Sequence, residues 1–305
     1  MRFLALRYFN EVARLGSIRK AADRLHVAPS AVSRQIALLE AELGTELFKR
    51  FKTGVRLMPA GEVLARQSHR VFRDLERARS GIDDLMGLRR GRISLWVIEG
   101  FVTGLLPGIL SDFNQRYPNI SFRVYTDSTD RIVEALLEDE ADIGITFNAV
   151  SRPEIEVVAE FKEGISCLVA PSHRYAGRES LSLAELCTEQ LALPVQSFGL
   201  RQVFDTAVAN RGYDPRVLVT TNSLELTKTL AATGNAIAFM PALTVVRELA
   251  AGSLIAIPIS DREFRTSRSS VSIHRDRPLS HAAADFLKVL VAQIQNLVDV
   301  QVRNR

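Results

Sequence analysis

From Pro59 to Leu88 the chain carries one unbroken helical pattern, and nothing else in it restricts the fold as much. Leu64, Ser68, Val71, Leu75, Ala78, Ile82 and Leu85 alternate steps of four and three. That is the heptad seam of a two-stranded coiled coil, with one polar residue at Ser68. A helix of this length with no core of its own needs a partner, most simply the same helix of a second chain, so a homodimer is expected. The helix also divides the chain. "GLRRGR" after it reads as a polar, glycine-flanked hinge. The expected parts are a head over 1–58, a dimerisation helix over 59–88, a hinge over 89–92 and a body over 93–305.

The charge follows the same division. Residues 1–92 hold 19 Lys/Arg against 10 Asp/Glu, and the remaining 213 hold 20 against 25. A basic head on an acidic body is the pattern of a chain whose one end meets a polyanion. With 305 residues, 47% hydrophobic and 24% charged, the composition is that of a globular protein of two or three folding units. No run of about 18 apolar residues offers a membrane span. In the opening "MRFLALRYFNEVARLGS", Arg7, Glu11 and Arg14 interrupt the apolar core that a signal peptide needs, so a cytoplasmic protein is expected. Cys167 and Cys187 sit in apolar stretches and suit reduced core thiols.

The head breaks into short helices. Phe3, Leu6, Phe9 and Val12–Ala13 recur at helical spacing and stop at Gly16; Ser17 is a good N-cap for Ile18, Ala21, Ala22 and Leu25. His26-Val27-Ala28 makes a turn, and Pro29 suits the first turn of a third helix. Val32, Ile36, Leu39 and Leu43 form that helix's inner stripe, ended by Gly44. "ELFKRFKTGVRLM" then reads as two short strands around a turn near Thr53-Gly54. Three helices and a basic hairpin make an all-α winged helix-turn-helix.

Beyond Ile93 strands alternate with helices: "RISLWV", "ISFRVYT", "ADIGITF", "ISCLVA", "LALPV", "RVLVTT", "AIAFM", "LIAIPI" and "SSVSIHR" are the expected strands. Such alternation implies an α/β body of mostly parallel sheet covered on both faces. Crossings near 160–166 and 260–268 divide it into two doubly wound lobes around a cleft, lobe I over about 93–163 and 267–305, lobe II over about 164–266.

The stretch "FLALRYFNEVARLGSIRKAADRLHVAPSAVSRQIALLEAELGTELFKR…GVRLMPAG" closely resembles the LysR-type transcriptional regulators. "LLPGILSDFNQRYPNISFRV", "DIGITF" and "ATGNAIAFMP" continue the resemblance through the body. It implies a bacterial DNA-binding regulator: a winged helix-turn-helix, a linker helix, and a two-lobed effector domain akin to periplasmic binding proteins, assembled as a homotetramer of dimers. Two positions depart from the family pattern. Pro29 stands where a base-reading glutamine is common, and Met58 where a threonine usually caps the linker helix.

A recognition helix enters the major groove of double-stranded DNA with its N-terminal turns. Ser30 and Ser33 are candidates to bond base edges or phosphates, Ala31 to touch a thymine methyl, and Arg34 to make a bidentate contact to guanine, with Gln35 beside it. The hairpin supplies Arg50, Lys52 and Arg56, with Lys49, for phosphate or minor-groove contact.

In open α/β sheets ligands bind beyond the carboxyl ends of strands. The first-lobe junctions give Gly100, Phe101, Val102 and Thr103 after Glu99, then Thr126, Asp127 and Ser128, then Phe147 and Asn148. The second lobe gives Ser197, Phe198 and Gly199, then Asn222 and Ser223, and Asn235. Hydroxyls, amides and helix N-termini favour an anionic group and the phenylalanines an apolar body, so a small organic carboxylate is the expected effector, with Arg201 a candidate to pair with it against the plainer reading of a surface arginine. Its binding would close the cleft and rearrange the paired DNA-binding heads.

Other classes fare worse. No G-x-S-x-G occurs; "GISCL" lacks the second glycine. Gly100, Gly104 and Gly108 fit neither a dinucleotide fingerprint nor a phosphate loop, and five scattered histidines give no metal spacing. No enzyme, cofactor or metal is expected. An architectural or effector-independent DNA-binding repressor is the alternative, and a cytoplasmic α/β enzyme a remote one.

Overall fold

The computed structural model describes residues 2–85, 90–162 and 164–303. Residues 1–79 and 80–305 form two compact units.

The first unit begins with α1 (Phe3–Leu15), α2 (Ile18–Leu25) and α3 (Pro29–Leu43). Each boundary has a local cause. Gly16 closes α1 in the left-handed region at φ 59°, and the Ser17 hydroxyl accepts a bond from Lys20 N at 3.3 Å. His26 closes α2 at φ 55°, and Pro29 opens α3 where its missing N–H costs nothing. Val32, Ile36 and Leu39 are buried against Phe9 and Val12 of α1 and Ala21 and Ala22 of α2. Leu43, read above as the end of that stripe, is exposed. The core has no room left for it: Glu40 Oε1 accepts bonds from Leu47 N at 2.8 Å and Phe48 N at 3.3 Å, turning the chain so that Leu47 and Phe48 fill the space.

Strands β1 (Phe48–Phe51) and β2 (Gly54–Leu57) pair antiparallel around Lys52-Thr53. Gly54 is required here, because a Cβ on it would lie 2.3 Å from Gly16 O, the carbonyl that accepts from Val55 N at 2.8 Å. That approach fastens the hairpin to the α1–α2 turn.

Helix α4 (Pro59–Leu85) is the long helix. Its seam splits. Leu64 packs on the head's core, and Ser68 is 2% exposed, its hydroxyl donating to Asn10 Oδ1 at 2.6 Å. Ser68 is therefore no polar seam residue; it serves the chain's own core. Val71, Leu75, Ala78 and Ile82 carry the stripe onward, and the three large ones are exposed. The side chain of Leu85 and the residues 86–89, which include part of the expected hinge, lie outside the described residues.

The second unit holds β3 (Gly91–Val97), α5 (Glu99–Gly104), α6 (Leu106–Arg116), β4 (Ile120–Thr126), α7 (Thr129–Leu137), β5 (Ile143–Phe147) and β6 (Ile155–Lys162). The chain then crosses to β7 (Ile165–Val169), α8 (Leu183–Leu186), β8 (Gln190–Pro194), α9 (Gly199–Arg211), β9 (Arg216–Thr221) and α10 (Leu224–Ala232). After β10 (Ala238–Pro241), a 3-10 turn (Ala242–Val245), α11 (Val246–Ala250), β11 (Ile255–Pro258) and α12 (Arg262–Arg265), it returns as β12 (Arg268–His274) and closes with α13 (His281–Arg303).

The first sheet has the order β4-β3-β5-β12-β6. Here β3 is parallel to β4 and β5, while β12 is antiparallel to both its neighbours. The second repeats this plan. β8 is parallel to β9 and is bridged in parallel at Leu191–Ile237 to the entry of β10, and β7 is antiparallel to β10 and β11. Both sheets are thus mixed, not mostly parallel. In each, the strand that arrives by crossing from the other half inserts with reversed polarity. Among the described residues, no helix is long and apolar enough to cross a membrane.

Candidate nucleic-acid interface and effector cavity

The tip of α3 presents small and basic side chains. Ser30 and Arg34 are exposed, and Ser33 and Ala31 are half-buried. Positions 30, 33 and 34 share one helix face, opposite the buried Val32, Ile36 and Leu39. Gln35 flanks the core side, and its Oε1 is buried without a hydrogen-bond partner, so its acceptor is not turned outward. In the hairpin Lys49, Arg50, Lys52 and Arg56 are exposed. Lys49 pairs directly across from Arg56, and both lie over the Phe51 ring, at 5.8 and 5.4 Å from its centroid. Arg50 pairs with Val55 and so belongs to the other face. Register, which composition does not supply, joins Lys49 to Arg56. Met58 caps nothing with its side chain; its carbonyl receives Glu62 N at 2.9 Å and its N–H bonds Leu47 O at 2.9 Å.

In the second unit, ends of the two sheets enclose a cavity of about 280 Å³. Of the residues read from the junctions, Gly100, Phe101, Thr126, Asp127 and Ser128 line it from the first sheet's side, with Phe147. Ser197, Phe198, Gly199 and Asn222 line it from the second. Gly100 is there because the halves come close: a Cβ on it would stand 2.5 Å from Thr244 Cγ2.

The other residues read as effector contacts do not line it. Val102 is on α5 and turned elsewhere, and the side chain of Thr103 lies outside the described residues. Asn148 holds the crossing, its N–H bonding Arg268 O and its Oδ1 accepting from Arg268 N, both at 2.9 Å, and lines a neighbouring depression. Ser223 caps α10 by accepting from Leu226 N. Asn235 precedes β10 and bonds Thr233 Oγ1 at 3.2 Å. Since β10 runs parallel to β8, the cavity meets its carboxyl end, where Met240, Pro241 and Thr244 do line it. Ser269 is invisible to the same rule: β12 is antiparallel, so its first residues reach this edge. Ser269 Oγ is buried with no hydrogen-bond partner.

Glu99 opens the first junction, ahead of the residues read there as effector contacts. It lines the cavity, and its Oε1 accepts the backbone N–H of Leu224 at 3.0 Å, joining the first sheet's α5 to the N-terminus of α10. Burial pushes its carboxyl up; the Leu224 bond and the Lys228 ammonium oppose that, and Glu225 adds to it. Arg201 is no cation for a ligand: its Nε bonds Asp205 at 2.6 Å and another guanidinium N–H bonds Pro194 O at 2.9 Å. No Lys, Arg or His stands among the lining residues. No group of three His, Cys, Asp or Glu that could hold a metal occurs among the described residues.

A basic helix tip and hairpin, and an α/β unit with a cavity between two sheets, agree with two family models. Residues 3–62 match the bacterial regulatory helix-turn-helix protein, lysR family, and residues 86–295 the LysR substrate binding domain. The chain is a LysR-family transcriptional regulator. The relatives it matches are transcriptional regulators and not enzymes. The regulator is 29% identical over 304 residues to the transcriptional dual regulator GltC of Bacillus subtilis, covering 99% of this chain and 100% of that one. It is 26% identical over 289 residues to the RuBisCO operon transcriptional regulator of Allochromatium vinosum, covering 94% and 95%. The fold is shared with full-length CbnR in complex with its target DNA, at a TM-score of 0.66 and 23% identity over 96% of this chain and 100% of that one. A full-length variant of OxyR from Pseudomonas aeruginosa gives a TM-score of 0.72 at 22% identity over 97% and 95%.

Proposed function

We propose that this regulator reads an operator through Ser30, Ser33 and Arg34, with Ala31 against a thymine methyl, and grips phosphates through Lys49, Lys52 and Arg56. Arg50 follows the backbone from the hairpin's other face, and Gln35 supports the helix without reading bases. The stripe Val71, Leu75, Ala78 and Ile82 joins two chains into a dimer. Dimers pair into a tetramer, as the family commonly does, and the protein works in the cytoplasm.

A small molecule held in the cavity sets the state of the whole. The observation that carries this reading is the cavity, walled by residues of both sheets and spanned by the Glu99–Leu224 bond. A ligand that adds contacts to both walls stabilises one spacing of the sheets over others, and operator affinity changes by the difference. A thermal-shift screen of the full chain against small metabolites tests it. At about 100 times its dissociation constant, a true effector adds roughly 2.7 kcal/mol and raises Tm visibly. A folded chain that responds to nothing in a broad panel supports an effector-independent DNA-binding repressor instead.

A further inference from the structure

Resting on the reading of the cavity as the effector site, one question is open to chemistry: the sign of the ligand's charge. Among the described residues the lining holds two carboxylates, the half-buried Glu99 and the exposed Asp127, and no basic side chain; the Lys228 ammonium that acts on Glu99 is held outside the lining by Glu225 and Glu248. Arg201, the sequence candidate for pairing with an acid, is taken by Asp205 and Pro194. The helix N-termini that could receive an anion are largely used. Glu99 occupies that of α10, and the Ser128 hydroxyl bonds Arg131 N at the start of α7. The N-terminus of α9, at Phe198, has no side-chain cap. A helix N-terminus offers about half a positive charge, too little to reverse two carboxylates.

Two polar groups are left to be satisfied. Ser269, 1% exposed on the cavity wall, has a hydroxyl without a partner. Glu99 uses one oxygen on Leu224 N, and its Oε2 has no partner among the described residues. We infer that the cavity takes a small molecule with a cationic amine head and an apolar body, the ammonium bonding Glu99 and the body lying among Phe101, Phe147 and Phe198. A carboxylate would meet two like charges instead. Burial already holds the Glu99 carboxyl above its ordinary range, and an ammonium beside it supplies the compensation that lost water does not. In this account Glu99 bridges the two sheets and the ligand at once, so occupancy strengthens the bridge.

The test uses the full chain and three probes of one shape: 2-phenylethylamine, 2-phenylethanol and phenylacetate, titrated calorimetrically at neutral pH. The amine is expected to bind at least about tenfold more tightly than either of the others, the size of one hydrogen bond to a charged group. Glu99→Gln keeps the Leu224 bond and is expected to remove that preference while leaving the alcohol unchanged. If that variant does not fold, Asp127→Asn is expected to narrow the preference in the same direction. Tighter binding of phenylacetate, or an amine affinity indifferent to both variants, overturns the inference and leaves the cavity as an effector site. Binding of none of the three overturns the inference, and the effector reading then stands or falls separately on the broad thermal-shift panel.

Discussion

The two ligand-facing regions of this regulator are opposites. The proposed DNA-facing one lies within a single run of chain, from Ser30 to Arg56, with Arg34, Lys49, Arg50, Lys52 and Arg56 exposed. The cavity is concave, drawn from separate segments between Ile98 and Ser269, and the charged side chains among its described lining residues are acidic. A surface that must follow phosphates has its cations on short, locally fixed elements that remain in water. A pocket that must enclose a small molecule needs walls from distant parts of the chain, and burial makes each charge in it expensive. The contrast in sign also keeps the ligands apart, since a cavity lined with carboxylates does not attract nucleic acid.

The largest effect is expected from α4. Leu75→Glu puts a charge in the exposed stripe of α4 and should convert the assembly to monomers, with operator affinity falling by orders of magnitude; sedimentation velocity would report it. An unchanged mass means that the stripe faces something other than a second chain. Next is Arg34→Ala, which should cost about 1–3 kcal/mol in operator binding and little on random DNA. Equal losses on both would make Arg34 a phosphate contact. On the cavity side, Gly100→Ala drives a methyl against Thr244 Cγ2, with an expected destabilisation of about 1–3 kcal/mol. Thr244→Ser removes that atom and should restore Tm in the double variant; failure of rescue would mean that another contact makes the glycine necessary. The smallest effect is that of Lys52→Ala, which should lower affinity evenly across sequences and reduce the salt slope by about 0.9.

The head is legible in sequence because its signals are local. Gly16, Ser17, Pro29 and Gly44 fix helix ends within a residue or two of themselves. Ser68 is not, because a period of seven says which face is apolar and not whose core covers it. Strand β6 gives little signal because it is an edge strand with most of its side chains in solvent. In the cavity, reading carboxyl ends works where strand polarity is inferred correctly and fails at Asn235 and Ser269, where β10 is entered from the wrong end and β12 runs backwards. The charge sign is hidden for a different reason. Hydroxyls and helix N-termini in a sequence look like an anion site, and only geometry reveals that Glu99 has already taken one of those N-termini and that Arg201 is occupied.

Coupling between these two regions through one chain is read out by DNA binding measured with and without a cavity ligand. Duplexes enriched by the full chain from a random pool would be compared with scrambled ones by fluorescence anisotropy, before and after saturation with the tightest cavity ligand. Affinity is expected to be at least about a thousandfold greater for the enriched sequence, shifted by the ligand there and unshifted by it on scrambled DNA. An enriched duplex whose affinity ignores a ligand known to occupy the cavity would contradict that coupling.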